Sequence, residues 1–142
     1  MRDLLSRRGL AAFSMMTLLT TAGAGCADDG GGDPGAPPTV SNLALTPETV
    51  TAGSLVTLSG TMRFSDPDGD VALLVSELEL PGGATQPGPE TPVAGAAGIT
   101  TGDVPFQLAL QTSAPGALTV RVWLVDTKGN PSNTLEAVVT VE

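Results

Sequence analysis

Histidine and tyrosine are absent from this 142-residue chain, and cysteine and tryptophan occur once each. Without histidine there can be no Ser-His-Asp triad, no Cys-His pair and no imidazole metal site. A single cysteine allows no internal disulfide and no thiolate zinc cluster. The serine and threonine hydroxyls have no visible base beside them, so an enzyme is the least favoured class and we predict a non-catalytic protein.

Basic residues are also scarce, with six Lys and Arg against fifteen Asp and Glu, for a formal charge of −9. From Cys26 onward there are three basic and fourteen acidic side chains, so this part of the chain carries a charge near −11. Such a surface repels nucleic acid and anionic lipid headgroups, and no nucleic-acid partner is expected. It is compatible with cations and basic partners, although solubility alone would account for it.

The first 25 residues have the composition of an export signal. Three arginines lie within residues 1–8, an apolar run follows over Leu10–Leu19, and mostly small residues fill positions 20–25. The apolar run is too short to span a membrane, which takes about 20 apolar residues. A basic start, a short apolar segment and a small-residue end together predict a signal peptide over residues 1–25.

The segment Gly23–Cys26 resembles the lipobox of bacterial lipoproteins, where the signal is cleaved before a cysteine that is then lipidated. Ala24 and Gly25 suit the two positions before the cysteine, whereas Gly23 stands where that family prefers Leu. The resemblance implies a membrane anchor of diacylglycerol and a palmitate-type acyl chain on Cys26. The alternative is ordinary cleavage after Ala24, which would leave a secreted or periplasmic protein with a lone thiol.

Two further resemblances concern the export route and the destination. Ser6–Ala11 resembles a twin-arginine export motif but lacks its Phe-Leu-Lys ending, so the general secretory route is favoured. Ala27, directly after the cysteine, differs from the Asp that retains some lipoproteins in the inner membrane. That comparison implies placement in the outer membrane of the cell envelope.

The composition of residues 26–38 predicts a flexible tether, which would join the lipidated cysteine to a folded domain over residues 39–142. Gly, Asp and Pro dominate the tether, and none of its side chains is large and apolar enough to anchor it.

In the domain, apolar and polar residues alternate, as in Val56–Phe64 and Leu118–Leu124, which indicates strands with one buried face. We expect strands near 40–45, 54–64, 72–80, 92–98, 104–111, 117–126 and 134–141, the fourth being weak because its side chains are small.

Seven antiparallel strands in about 100 residues predict an all-β, two-sheet sandwich of the immunoglobulin type. The turns carry a resemblance as well. Phe64–Val71 is similar to the B–C turn of bacterial Ig-like domains, including the cadherin-like and PKD-like groups. Ala114–Val120 resembles their E–F turn, and Val125–Asn133 their F–G turn of the form D-x-x-G-N-x-S. The resemblance implies an Ig-like fold over residues 39–142 and leaves the function open.

A group of acidic residues is the first candidate site. Asp66, Asp68 and Asp70 alternate along the B–C turn, and the strand order brings Asp103 and Asp126 towards the same end. Several carboxylates in one place suit Ca²⁺, which takes six to eight oxygen ligands. However, the spacing is not that of an EF-hand, and Asp-Pro and Asp-Gly form turns for backbone reasons. We therefore expect a structural turn and no cofactor, with calcium as the alternative.

An outward-facing apolar strip is the second candidate site. It consists of apolar residues with outward parity on three neighbouring strands: Leu73, Val75, Trp123, Val125 and Val138. An exposed apolar patch that contains Trp is typical of a protein-partner or carbohydrate surface. The alternatives are that the loop over residues 81–91 covers the strip or that the third strand changes parity.

These features together predict a membrane-anchored, non-catalytic lipoprotein of the bacterial envelope. Its Ig-like domain would act as a binding or structural module, with Trp123 at the centre of the surface for an unidentified envelope protein or polysaccharide. The alternative is a soluble secreted adhesion or accessory domain.

Overall fold

The computed structural model describes residues 35–142, and this part of the chain contains nine β-strands in two sheets and no helix. The predictions on the signal peptide, on Cys26 and on most of the tether lie outside the described residues. Within the described range, no helix is long and apolar enough to cross a membrane. The strands are β1 (Thr39–Thr46), β2 (Thr49–Val50), β3 (Leu55–Ser65), β4 (Val71–Glu79), β5 (Thr85–Pro87), β6 (Thr91–Pro92), β7 (Thr101–Gln111), β8 (Gly116–Asp126) and β9 (Leu135–Val141).

The strand order confirms the predicted all-β sandwich. The first sheet has the order β1-β3-β7, and the second has the order β2-β9-β8-β4-β5, with β6 also paired to β4. In immunoglobulin lettering these are an A-B-E sheet and a G-F-C sheet. The chain therefore has the Ig-like arrangement that its turns predict.

The prediction of seven strands is wrong, because β2, β5 and β6 are short additions at sheet edges. β2 follows Pro47, which cannot donate to the β1 ladder, and it pairs in parallel with β9 of the opposite sheet. The expected strand over residues 92–98 is reduced to the two residues of β6, and turns and bends follow it. Glycines at positions 95 and 98 with positive φ favour turns in this segment.

The core lies between the two sheets and follows the predicted alternation. In β3, β7 and β8, every second residue faces inward, and all but the first of these in each strand are buried. The main contributors are Leu58, Met62, Phe64, Phe106 and Leu108 from the first sheet, and Leu74, Leu118, Val120, Val122 and Leu124 from the second. Full burial of such a side chain stabilises the fold by about 1.5–3 kcal/mol. Burial of these alternating residues therefore contributes much of the free energy that favours folding.

A bulge in β4 decides which of its residues face outward. The register with β8 shifts between Val71 and Leu73, and both Val71 and Leu74 are buried. Strict alternation from Val71 would turn Leu73 into the core. The extra residue, Ala72, resets the parity, so that Leu73 lies on the outer face with the residues that follow it at every second position.

Candidate functional site

The loops after β3, β6 and β8 meet at one end of the sandwich, as the Ig-like strand order predicts. The backbone N–H of Asp66 donates to the carbonyl of Thr100 at 2.8 Å, and the N–H of Thr127 donates to the carbonyl of Asp70 at 2.9 Å. These two bonds tie the acidic turn to both neighbouring loops. We call this end of the domain the apex.

Asp66, Asp68 and Asp70 come together at the apex, each with one carboxylate oxygen within 4.8 Å of the others. Asp66 is buried, and its two oxygens accept the backbone N–H groups of Asp68 (3.2 Å) and Asp70 (2.7 Å). Asp70 Oδ2 accepts the Thr127 hydroxyl at 2.9 Å and lies 4.0 Å from Lys128 Nζ. Asp70 Oδ1 is buried and has no hydrogen-bond partner among the described residues.

The structure does not bring Asp103 and Asp126 into this group of three. Asp103 is exposed on the outer face of the first sheet, opposite Arg63 in the register. Asp126 is buried within its own turn, where Oδ1 accepts the N–H groups of Lys128 and Asn130, both at 2.8 Å. Burial alone would raise the pKa of Asp126, but hydrogen bonds from Asn130, Lys128 and Gly129 outweigh it and lower the pKa.

The Asp, Gly, Asn and Ser of the D-x-x-G-N-x-S turn each stabilise the turn. The side-chain amide of Asn130 donates to Asp126 Oδ2 at 2.8 Å, and Gly129 adopts a φ of 88°, which favours glycine. Ser132 Oγ accepts the backbone N–H of Leu124 at 2.9 Å. These side chains of the motif thus build the turn itself.

The end of the predicted tether contacts the apex. Ala36 N–H donates to Asp68 Oδ2 at 2.7 Å, and Pro38 is fully buried. The side-chain amide of Asn133 then clamps β1, because its oxygen accepts the N–H of Val40 (2.8 Å) and its NH₂ donates to the Val40 carbonyl (2.9 Å). The chain therefore enters the folded domain at the acidic end.

The outer face of the G-F-C sheet carries four of the five predicted strip residues side by side. Leu73 pairs with Val125 and Val75 pairs with Trp123 across β4 and β8. All four are half-buried, and none of them belongs to the core or packs against it within the described domain. We call these four residues the apolar strip.

The loop over residues 81–91 pairs with the edge of β4. It contributes β5 and part of β6, which extend the sheet at the β4 edge. Val138 is 61% exposed, but it lies opposite Thr119 on β8 and is separated from Trp123 by Arg121. The fifth predicted residue is therefore not contiguous with the other four.

An ion cluster that the sequence did not predict lies at one end of the apolar strip. Arg121 binds Glu77 (3.2 Å) through Nη1, Glu79 (2.7 Å) through Nη2 and Glu136 (2.7 Å) through Nε. Hydrogen bonds with Glu136, Glu79 and Glu77 raise the pKa of Arg121, which keeps it cationic. The sequence shows that these side chains have outward parity, and the pairing of β8 with both β4 and β9 brings them together.

No family model and no curated protein matches this chain. Among solved structures, it is similar to the PKD domain of an M14-like peptidase from Thermoplasmatales archaeon SCGC AB-540-F20, with 20% identity, a TM-score of 0.48, and coverage of 75% of this chain and 97% of that chain. It is also similar to the alkylpurine DNA glycosylase AlkC from Pseudomonas fluorescens, with 12% identity, a TM-score of 0.50, and coverage of 75% of this chain and 31% of that chain. At such identities the likeness concerns the fold alone, and the fold class rests on the sheet arrangement described above.

Proposed function

We propose that this protein is a non-catalytic binding module of the bacterial cell envelope, anchored by lipid on Cys26, and that the apolar strip binds a protein partner. The observation that carries the proposal is the pair of apolar cross-strand contacts, Leu73 with Val125 and Val75 with Trp123, outside the core. Contiguous apolar surface with a central Trp is typical of interfaces. A secreted domain with the same binding surface is the alternative.

The chemistry of the strip and its border favours a protein with a basic rim as the partner. Three of the four strip residues are aliphatic, whereas carbohydrate is bound mainly by stacking on aromatic rings. Arg121 and its three glutamates border the strip and leave an excess of two negative charges. An apolar centre with a charged rim is the usual anatomy of a protein interface, and the charge would select a basic partner.

The partner surface is tested by capture from solubilised envelopes with the full chain and three variants. We expect the wild-type protein to retain a protein that Trp123→Ala and Val75→Glu lose, and that high salt releases. The matched control is Leu55→Ala, which removes an aliphatic side chain that is 75% exposed at the start of β3. Equal capture by all four proteins, or retention of polysaccharide alone, would contradict the proposed partner.

The anchor is tested by the intact mass of the protein purified from membranes, beside a Cys26→Ser variant. We expect a mature mass that starts at Cys26 and includes diacylglycerol and acyl chains, together with fractionation with the outer membrane. Loss of the lipid mass in Cys26→Ser should release the protein from membranes. A mass that starts at Gly25 without lipid would support the secreted alternative instead.

We propose calcium binding at the apex as a second candidate function. It is favoured by the buried Asp70 Oδ1, which has no partner within the described residues and belongs to the three-carboxylate group. Lys128 Nζ, at 4.0 Å from Asp70 Oδ2, already supplies one positive charge and would compete with a metal ion. Millimolar Ca²⁺ should raise the melting temperature, Asp68→Ala should abolish the rise, and Lys128→Gln should enlarge it. No shift in either the wild type or Lys128→Gln would reject the site.

A further inference from the structure

A cavity of about 340 Å³ opens at the side of the sandwich, between β7 and the loop that follows β6. Its inner wall consists of core residues, among them Phe64, Leu74 and Phe106, which are buried. Ile99 also lines the cavity and is 44% exposed, so it stands where the cavity meets solvent. The cavity shares no residue with the apolar strip or with the three-carboxylate group of the apex.

The cavity exists because a D strand is missing. In an Ig-type sandwich the D strand lies beside the E strand, which is β7 here, and its inward side chains fill this space. No described strand pairs with the outer edge of β7. The loop carries Ala94, Gly95 and Ala96 along the cavity, and such side chains are too small to fill it. The result is an apolar space that reaches the core from the side.

The size and lining of the cavity define the class of ligand. A cavity of about 150 Å³ holds one benzene, so this one has room for on the order of ten to fifteen carbon atoms. The lining is largely hydrophobic, and Asp103 only borders it, because its side chain is exposed on the outer face of the first sheet. The described domain has eleven acidic and three basic residues, so its surface repels anions, and the apolar lining offers a cation no buried counter-charge. We propose that this side cavity binds an uncharged, apolar small molecule of two-ring size.

A matched pair of fluorescent probes tests the ligand class. 2-Naphthol is neutral and has two fused rings, and 6-hydroxynaphthalene-2-sulfonate has the same rings with an added sulfonate. The assay uses the full chain with Cys26→Ser, so that no acyl chain or detergent competes for the probe. We expect saturable binding of one neutral probe per chain and at least tenfold weaker binding of the sulfonate. Equal affinity for the two probes, or binding that does not saturate, would overturn the proposal.

Two variants test whether the probe binds in the cavity. Val104→Phe adds a ring to a buried lining residue, so it should abolish binding while the melting temperature stays level or rises, as cavity-filling changes do. Ile99→Asp puts a charge at the opening and should weaken binding at least tenfold. Its matched control is Leu55→Asp, which places the same charge on an exposed aliphatic position outside the cavity lining and should leave binding unchanged.

The proposal can be tested even if one variant fails to fold. If Val104→Phe does not fold, Ile99→Asp and its control carry the test. Unchanged binding in Ile99→Asp, or an equal loss in Leu55→Asp, would overturn the site. Sedimentation that shows a dimer of the probe-free chain, lost in Ile99→Asp, would assign the cavity to a second copy of this chain and would also overturn the proposal.

Discussion

Val75 and Trp123 are direct cross-strand partners on the outer face of the G-F-C sheet, and neither packs against the core. The next pair on the same face, Leu73 with Val125, extends the contact along the two strands. The bulge at Ala72 allows Val71 to stay in the core while Leu73 and Val75 face outward. The domain therefore has two apolar faces on one sheet, and we expect the inner face to contribute most of the stability.

A comparison of neighbouring residues on β8 tests this division between the two faces. Trp123→Ala should lower the free energy of unfolding by about 1 kcal/mol or less, the range of a cross-strand pair. Leu124→Ala, whose side chain is fully buried, should lower it by about 2–5 kcal/mol. Urea unfolding of both variants measures the difference, and equal losses would mean that Trp123 belongs to the core.

The Arg121 cluster should stabilise the sheet in a manner that depends on salt. Arg121→Ala leaves Glu77, Glu79 and Glu136 close together without a cation, and like charges on neighbouring strands repel. We expect a lower melting temperature at low ionic strength and a partial recovery at about 1 M salt, where screening acts over about 3 Å. Arg63→Ala on the other sheet is the control and should show a smaller salt effect. A salt-independent loss would point to packing of the arginine stem instead.

Acid should destabilise the fold through Asp126. Its folded-state pKa is lowered, so its contribution is present above the unfolded-state pKa of about 3.9 and is lost as the pH falls through the folded-state value. Asp126→Asn should lower the free energy of unfolding at pH 7 by about 1–3 kcal/mol, because the amide keeps one acceptor oxygen but presents an NH₂ group in place of the other, and the Asn130 side-chain amide loses its acceptor. The variant should also lose less stability than the wild type between pH 4 and pH 2. Urea unfolding across this range, with Asp103→Asn as the exposed control, measures both effects, and parallel curves would refute this role for Asp126.

Gly60 should not tolerate a side chain. It lies opposite Phe106 in the register, and a Cβ at this position would overlap the Phe106 ring. Gly60→Ala should therefore lower the free energy of unfolding by about 1–3 kcal/mol, as overpacking does. In a Phe106→Leu background the same change should cost less, and the double-mutant cycle measures the coupling. Additive losses would show that the clash is relieved elsewhere.

Long strands were predictable and short ones were not. The six long strands β1, β3, β4, β7, β8 and β9 each overlap a predicted segment, because alternation over several residues reports one buried face. β2, β5 and β6 have two or three residues each, too few to show a period. They form because an edge is available for pairing, which is a property of the assembled sheet.

The candidate sites were also predictable in part, where the residues lie close together in one turn or share one parity. Asp66, Asp68 and Asp70 were found from their spacing, since one turn brings them together. Asp103 and Asp126 were expected nearby. Asp103 lies apart because its position in β7 faces the outer side of the sheet, and Asp126 lies apart because its carboxylate binds the backbone of its own turn. The apolar strip followed from parity, whereas the separation of Val138 from Trp123 depends on the β8–β9 register.

The sequence by itself determined which side chains face inward and where the turns fall, because strand parity and turn chemistry are local properties of the backbone. Only the tertiary structure decided what meets across the strands. Arg121 reaches glutamates on both neighbouring strands, and Phe64 and Phe106 border an open cavity where a D strand is missing. These contacts join residues far apart in the chain, so register and sheet packing, which no local pattern encodes, bring them together.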